Sequence, residues 1–542
     1  DSSTSRGLGD VYKRQQNGRV ERTHTKDFYW QWDNMLKWNK TFGKHAFDFT
    51  FLANWEKFQR WHDEMTNENF LPTDELGYGG IGFGTSPNVS SDDVYRTGDA
   101  FMGRLHYVYD QRYLITATVR RDGYSAFGLA NPRATFPAIA LGWVFSEEKF
   151  LHRPDWFEYG KLRLSWGKNG NRAVGTYAAF MQLAPRKYIY VDPATGSLVT
   201  ANTFYASTMA NPNLKWESTT SWNIGTDLTF LKGRLSANLD VYKKITTDLL
   251  VSRELPSLIG YSSVMSNIGE VQNTGVELSL NSTNIRMDKL TWRTSFSLAY
   301  NKNKITHLYG IMEDVKDADG NVIGQREADD IKNKRFIGHD IDEIWDYKVV
   351  GIWQEEEREE AAKYGQQPGD VHLLDKDMNY KYDNTDKEFQ GTTMPRLRWS
   401  MRNDFTLFKN FNISFNMYSY IGHKKTLGRF TNDNALLNVT NQIKRDYWTP
   451  ENRNNEYPRL ANKKPAGVSY AIYKNASFLR FDNISIGYTF PKKLIEPLRI
   501  QNLNVNATMK NAGYISGWPG YDPENSDANT PRVIYFGINL TL

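Results

Sequence analysis

The 542-residue sequence contains no cysteine. This absence excludes a disulfide framework, a thiolate-bound zinc or iron–sulfur site, and catalysis by a cysteine nucleophile. The sequence also lacks any run of about 18 consecutive apolar residues, which excludes a transmembrane helix. It does not exclude a membrane β-barrel, because barrel strands alternate lipid-facing and lumen-facing residues and are hydrophilic on average.

An excess of charge of either sign is also missing. Lys and Arg total 67, Asp and Glu total 62, and the net charge is +5. No basic block or stripe stands out that would follow a phosphate backbone, so we do not expect nucleic acid as a partner. Aromatic residues, in contrast, are abundant, with 31 Tyr, 29 Phe and 16 Trp. Amphipathic rings are useful at membrane–water interfaces.

The first fifteen residues show neither strand nor helix periodicity, and no signal peptide is visible in them. Residues 1–15 resemble read-through of a sequencing adapter, and we expect them to be a non-native leader. We therefore assign the fold to residues 16–542 and expect this stretch to be a fragment that begins in mid-protein.

Apolar and polar residues alternate with period two along several segments, among them 235–242, 292–300, 412–417 and 502–509. This pattern indicates strands with one apolar face and one polar face. Several of these runs are far longer than the ~5–6 residues of average soluble strands and meet the ~9–11 residues that a tilted strand needs to cross a bilayer. The pattern therefore favours a membrane sheet.

Connection lengths support the same interpretation. Very short connections occur at Gly43-Lys44, Asp110-Gln111, Lys232-Gly233, Met287-Asp288 and Lys409-Asn410. Long polar connections run over about 67–98, 306–343 and 422–477. Outer-membrane barrels have this alternation of short periplasmic turns and long external loops, and we count roughly fourteen to sixteen strands.

The sequence ends on an alternating segment, Arg532–Leu542. A barrel closes its last strand on its first, because an open edge in lipid leaves backbone groups unpaired. If strands are missing, the first long strand, about Val20–Phe42, and the last strand have each lost a neighbour. We therefore expect an exposed edge at each end of the sheet.

Four stretches together make a family recognisable: Asn211–Glu217 (NPNLKWE), Asn267–Glu277 (NIGEVQNTGVE), Tyr347–Asp370 with YKVVGIW and YGQQPGD, and Ser477–Phe490 (SFLRFDNISIGYTF). In order and spacing they resemble the SusC/RagA-like branch of TonB-dependent outer-membrane transporters. The resemblance covers nearly all of Gln16–Leu542.

This resemblance implies an all-β fold, an antiparallel transmembrane β-barrel of about 22 strands, of which this is the incomplete C-terminal part with the plug absent. It implies a non-enzymatic active importer of glycan oligomers or peptides in the cell outer membrane, in contact with outer-membrane lipid. A SusD-like surface lipoprotein would be one partner. The TonB complex would be another, reached through an N-terminal region that the sequence does not contain.

One acidic segment has spacing near that of a calcium loop, in which oxygen ligands at alternate positions surround a hard cation. Its candidate ligands are Asp375, Asp377, Asn379, Asp383 and Asp386. Two residues depart from the pattern, because Tyr380 replaces the turn glycine and Asp386 replaces the usual bidentate glutamate. Ca²⁺ is therefore the one cofactor considered, and a solvated acidic loop is the alternative.

No other motif indicates chemistry. The sequence has no H-E-x-x-H and no G-x-S-x-G, so we assign no catalytic residue. Aromatic residues in the long loops, such as Tyr447, Trp448, Tyr514 and Trp518, either pack within the loops or stack on sugar rings. The alternative function is a secreted all-β protein that binds carbohydrate or hydrolyses glycans. Its two sheets would have to pack face to face to cover the apolar side of each strand.

Overall fold

The computed structural model describes residues 18–70, 78–255, 257–261, 263–317, 319–427, 446–460, 462–525 and 528–542. The expected leader, residues 1–15, lies outside the described residues. Most of the described chain forms one antiparallel sheet of fifteen strands, a number within the range predicted from sequence. This confirms the all-β fold.

Strands are numbered along the chain. The large sheet contains β1 (Arg19–Phe42), β2 (His45–Glu68), β3 (Asn88–Tyr109), β4 (Tyr113–Tyr124), β5 (Arg133–Trp143), β6 (Phe157–Asn171), β9 (Glu217–Phe230), β10 (Leu235–Thr247), β13 (Glu270–Arg286), β14 (Leu290–His307), β21 (Leu397–Leu407), β22 (Phe411–Ile421), β25 (Phe478–Thr489), β26 (Asn502–Ser516) and β27 (Val533–Thr541). Each strand pairs with its predecessor in the sheet, so the topology is an up-and-down meander.

The long connections carry small two-stranded sheets of their own. These are β7 (Gln182–Val191) with β8 (Leu198–Thr208), β11 (Leu250–Glu254) with β12 (Ser263–Asn267), β15 (Met312–Lys316) with β16 (Val322–Glu327), β17 (Glu343–Tyr347) with β20 (Lys387–Thr392), β18 (Val349–Ile352) with β19 (Val371–Leu373), and β23 (Lys424–Thr426) with β24 (Tyr473–Asn475). Short α-helices occupy Arg358–Lys363 and Lys492–Ile495. No helix in the described ranges is long and apolar enough to cross a membrane.

The five predicted tight turns are all present between neighbouring strands of the large sheet. Three of them place non-glycine residues in the left-handed region, with φ of 49° and 56° at Asp110 and Gln111, of 58° and 57° at Leu231 and Lys232, and of 51° and 68° at Phe408 and Lys409. Positive φ at both central residues matches the twist of the flanking strands in a hairpin. The three long connections predicted from sequence lie at the opposite end of the sheet from these turns, as predicted, whereas the medium-length connections 144–156 and 490–501 lie at the same end as the turns.

The two faces of the large sheet differ in polarity along its whole width. Directly opposed residues of paired strands share a face. Ser279, Ser297 and Ser400 are opposed across β13, β14 and β21 on one face, whereas Leu298 and Trp399 are opposed on the other. The apolar face stays exposed, up to 82% at Phe536 of β27. A sheet that exposes one continuous apolar face is suited to lipid contact.

Both outer strands of the large sheet have one unpaired edge. Within the described residues, β1 pairs only with β2, and β27 pairs only with β26. This confirms the expectation of an exposed edge at each end. The alternative outcome, a smaller closed pore with β27 paired to β1, does not occur in the described structure.

Side-chain packing is concentrated in the long connections. The largest cluster of buried apolar residues consists of Tyr347, Ile352, Val371, Leu373, Leu427, Trp448, Tyr470, Ile472, Ala476 and Trp518. We call the described parts of residues 343–392, 422–427, 446–477 and 517–525 the cap, because these segments pack around that cluster. A second cluster surrounds Trp216 of the NPNLKWE segment.

Candidate functional site: the inner wall, the cap and the acidic loop

The polar face of β1–β6 lines a cavity of about 710 Å³. Its charged side chains are largely paired with one another. Arg172 forms an ion pair with Glu56, and the Nε atom of Arg120 lies 2.9 Å from both carboxylate oxygens of Asp122. Within the described residues, Asp33 and Lys168 of the same lining form no ion pair, so most but not all of the charge on this part of the inner wall is matched.

A three-residue ionic network lies on the same polar face, on β6, β9 and β10. The Arg163 guanidinium donates to both oxygens of Asp227 at 3.1 Å and to both oxygens of Asp240 at 3.0 Å. Gly225 lies between Arg163 and Asp240 in the register, and its lack of a side chain leaves room for the arginine to reach across. One arginine thus serves two carboxylates.

A second cavity, of about 470 Å³, lies on the polar face of β13, β14, β21 and β22. We call it the trough. It is lined by Glu277 and Arg398, by the three opposed serines, and by Tyr418 and Tyr420. The Arg398 guanidinium lies 5.3 Å from the centre of the Tyr420 ring. Within the described residues, neither Glu277 nor Arg398 forms an ion pair.

Asp370, the last residue of the YGQQPGD segment, fastens two segments of the cap. Its side chain has no exposed surface. One of its oxygens accepts from the Nε of Arg459 at 2.7 Å and from the backbone N–H of Lys463 at 2.8 Å, and the other accepts from the backbone N–H of Gln367 at 3.0 Å. A buried carboxylate that is fully hydrogen-bonded fixes the relative position of the segments that donate to it.

Arg480, in the SFLRFDNISIGYTF segment, ties the sheet to the last long connection. Its guanidinium is 3% exposed and donates to Asp522 at 2.6 Å, and its Nε lies 2.6 Å from Glu524. Asp522 also accepts the backbone N–H of Glu524 at 2.8 Å. Glu524 accepts in turn from the Tyr418 hydroxyl at 2.6 Å. This network links β22 and β25 to residues 522–524.

The loop aromatics separate into two groups. Trp448 and Trp518 are 4% and 7% exposed and belong to the core of the cap. Their burial favours the loop-packing interpretation for these two residues. Tyr447 and Tyr514 remain more than a third exposed, and the Tyr514 hydroxyl donates to the backbone oxygen of Tyr521 at 2.6 Å.

The acidic loop lies between β19 and β20, within the cap. Oxygens of Asp375, Asp377 and Asp386 lie within 4.8 Å of one another. Asp383 lies outside this group, and its carboxylate accepts the backbone N–H and the hydroxyl of Thr385, both at 2.7 Å. The structure therefore brings together three of the five candidate ligands, Asp375, Asp377 and Asp386.

The backbone of this loop turns as a calcium loop does. Tyr380 takes the place of the turn glycine and adopts the left-handed conformation itself, with φ of 63°. The Asn379 side-chain oxygen accepts from the backbone N–H of Lys381 at 2.8 Å, and its amide donates to Asp377 at 2.8 Å. The loop is thus held in shape by its own side chains.

Hydrogen bonds also set the ionisation of the first acidic residue. Burial acts to raise the pKa of Asp375, but the Tyr364 hydroxyl and the backbone N–H groups of Tyr380 and Met378 donate to its carboxylate and hold that pKa below its ordinary value. Asp375 is therefore a carboxylate at neutral pH, as a cation ligand must be.

Sequence reasoning missed the residues that the structure makes prominent. Asp370 and Arg480 stand inside segments that were recognised only as family motifs, and a charged residue in an otherwise apolar or glycine-rich motif was the available signal. Glu277 and Arg398 gave no such signal, because each is an ordinary polar position of an alternating strand. Their proximity depends on the strand register.

The chain is similar in sequence to a known protein family and to several named proteins. A family model described as "TonB dependent receptor-like, beta-barrel" matches residues 1–512. The TonB-dependent receptor SusC of Bacteroides thetaiotaomicron is 32% identical over 467 residues, which are 82% of this chain and 43% of SusC. TonB-dependent receptor P3 of Formosa agariphila is 28% identical over 508 residues, 92% of this chain and 49% of the relative.

A solved structure of the RagAB peptide transporter has the same fold, with a TM-score of 0.75 at 21% identity. The similarity covers 96% of this chain and 56% of that one. The chain thus spans about half the length of the curated relatives it matches.

Proposed function

The chain belongs to the TonB dependent receptor-like β-barrel family, and from this membership we propose that it forms part of an importer of glycan oligomers or peptides. The resemblance to SusC/RagA-like transporters is confirmed. Proteins of this family are transporters of the outer membrane and not enzymes, which excludes the alternative of a secreted glycan-hydrolysing protein.

The observation that best supports import is the opposite character of the two faces of the large sheet. The apolar face remains exposed where lipid would cover it, and the polar face carries hydrogen-bonding and charged side chains over two cavities. Side chains of this kind suit the passage of hydrated, polar solutes.

The proposed partners follow from the same arrangement. The cap is a packed surface at the end of the sheet that carries the long connections, and we assign contact with a SusD-like lipoprotein to that end. The TonB complex would supply the energy for import. The name of the relative RagAB, a peptide transporter, supports peptides as one candidate cargo.

Import is tested with the full-length protein from which this chain derives, expressed in cells with and without a functional TonB. Labelled maltohexaose and a labelled mixture of casein peptides serve as probes. We expect uptake of one probe that stops when TonB is deleted or a protonophore is added. Uptake of neither probe by folded protein, or uptake that ignores both treatments, would contradict the proposal.

We also propose Ca²⁺ as the ligand that the acidic loop takes, supported by the three converging carboxylates and the turn at Tyr380. Hard cations of this kind prefer carboxylate oxygens. Calcium titration of the full-length protein should protect the loop amides from hydrogen exchange, and Asp377→Asn should weaken that effect. Equal exchange with calcium and with a chelator would show a solvated acidic loop instead.

A further inference from the structure

We propose that the trough binds a ligand that carries a positive charge at one end and a negative charge at the other, and that the ligand is a short peptide segment. This inference rests on the proposed import function and names the class of cargo. The proposed binding site lies on the inner wall formed by β13, β14, β21 and β22.

The strand register places the two charged residues of the trough in one row. Glu277 on β13 is opposite Ala299 on β14, and Ala299 is opposite Arg398 on β21. Two steps between neighbouring strands separate their Cα atoms, which is about 10 Å at ~4.8 Å per step. The small side chain of Ala299 leaves the space between the two charges open.

The same row shows an imbalance of charge on the side of Glu277. Asp240 on β10 lies directly opposite Glu277, and like charges in that position repel. Arg163 compensates Asp240 and also Asp227, so no arginine of this network remains for Glu277. An incoming ammonium group would therefore meet the Glu277 carboxylate, with the net negative charge of the Arg163, Asp227 and Asp240 network beside it.

The other end of the trough offers an available cation. Arg398 is exposed to the cavity, and the ring of Tyr420 lies beside its guanidinium. A guanidinium held beside a ring keeps its donors free for a carboxylate, which it binds in a bidentate geometry. The hydroxyls of Ser279, Ser297 and Ser400 lie along the floor and can pair with the polar backbone of a peptide.

The cavity of β1–β6 differs from the trough in how its charged side chains are paired. In that cavity, Arg172 and Arg120 are matched by Glu56 and Asp122, and Asp33 accepts hydrogen bonds from Asn54 and Gln31. In the trough, a neutral sugar would leave both charges unmatched. Three extended residues span about 10 Å, so a tripeptide can place its ammonium group at Glu277 and its carboxylate at Arg398.

The experiment measures binding of small probes to the full-length protein in detergent by saturation-transfer NMR titration. The probes are tri-alanine, the same peptide blocked at the amino end, at the carboxyl end or at both ends, and maltotriose. We expect tri-alanine to bind best and each block to weaken binding on the order of tenfold, the usual size of one charge-assisted contact.

Variants then show which residue recognises each end of the peptide. Glu277→Gln should remove the benefit of the free ammonium group only, and Arg398→Gln should remove the benefit of the free carboxylate only. The double exchange Glu277→Arg with Arg398→Glu should bind tri-alanine again, because the peptide can lie in the reverse direction. Asp288→Asn and Lys289→Gln, the same charge removals in the turn between β13 and β14, should leave binding unchanged.

Three results would overturn the inference. One is equal binding of free and fully blocked tri-alanine, and another is preferential binding of maltotriose. The third is a loss of heat stability in the variants with unchanged probe binding, which would show that the trough contacts another part of the full-length protein. If TonB-dependent uptake persists in any of these cases, the import function stands and only the peptide assignment fails.

Discussion

In the large sheet, residues that touch are opposed in a regular register, and each side chain faces one of two environments. In the cap, residues that touch are far apart in sequence, such as Asp370 and Arg459, which are 89 positions apart. The sheet obtains its order mainly from backbone pairing, and the cap obtains its order from a buried apolar cluster and a few buried charges. A substitution should therefore destabilise the sheet and the cap in different ways.

The largest effect is expected where backbone pairing itself is incomplete. Residues 1–542 expressed alone should aggregate or misassemble and import nothing, because unpaired backbone groups at the edges of β1 and β27 cost several kcal/mol each in hydrocarbon. Heat-modifiable migration on gels and light scattering measure this, with the full-length protein as control. A monodisperse, heat-modifiable product from residues 1–542 would contradict the expectation.

The next largest effect should come from the buried ion pair between the sheet and the last long connection. Arg480→Gln leaves Asp522 buried without its cation, and removal of one partner of such a pair costs about 3–5 kcal/mol. Native-state hydrogen exchange of the Glu524 amide reports the local opening. Arg402→Gln, at the largely exposed Arg402–Asp404 pair, is the control and should cost less than about 1 kcal/mol.

A smaller and local effect is expected inside the cap. Asp370→Asn keeps the size of the side chain but turns an amide group toward N–H donors, which should cost about 1–3 kcal/mol. Faster exchange of the Lys463 amide measures it. Glu456→Gln, which breaks an exposed pair with Lys474, is the control and should leave the exchange rate of the Lys463 amide unchanged. An equal exchange rate in both variants would show that Asp370 does not hold the two segments of the cap together.

The smallest effect is a dependence on pH. Burial, with Lys425 and Arg398 nearby, lowers the pKa of His423 from 6.5 to about 4. The unfolded cap therefore binds a proton between pH 6.5 and pH 4 that the folded cap does not, and cap stability should fall as the pH drops through that interval. Exchange of the Ala476 amide, which donates to the His423 carbonyl, follows this loss. His423→Leu should abolish the dependence.

The sheet was predictable from sequence because its determinants are local. Alternation in 292–300 and the short turn at Met287-Asp288 specify both a strand and its neighbour without knowledge of the rest of the chain. The abundance of aromatic residues and the length of the strands can also be read from local sequence, and both indicated a membrane protein. The unpaired edges were also foreseeable, since they follow from the number of strands available.

The cap and the trough were not predictable to the same degree. The contact of Arg480 with Asp522 depends on how a long connection folds back, which no local period encodes. For the acidic loop, spacing alone selected Asp383, whose carboxylate is engaged by Thr385.

The central claim is that one face of the large sheet meets lipid and the other lines a polar lumen. Residues 1–542 contain no cysteine, so single cysteines can be placed along β14 at Ser295, Phe296, Ser297 and Leu298. In the full-length protein, with any cysteine outside these residues replaced, each single cysteine is spin-labelled in membranes. We predict that dissolved oxygen, which concentrates in lipid, relaxes the labels at positions 296 and 298 more strongly than those at 295 and 297. Equal relaxation at all four positions, or the opposite alternation, would contradict the claim.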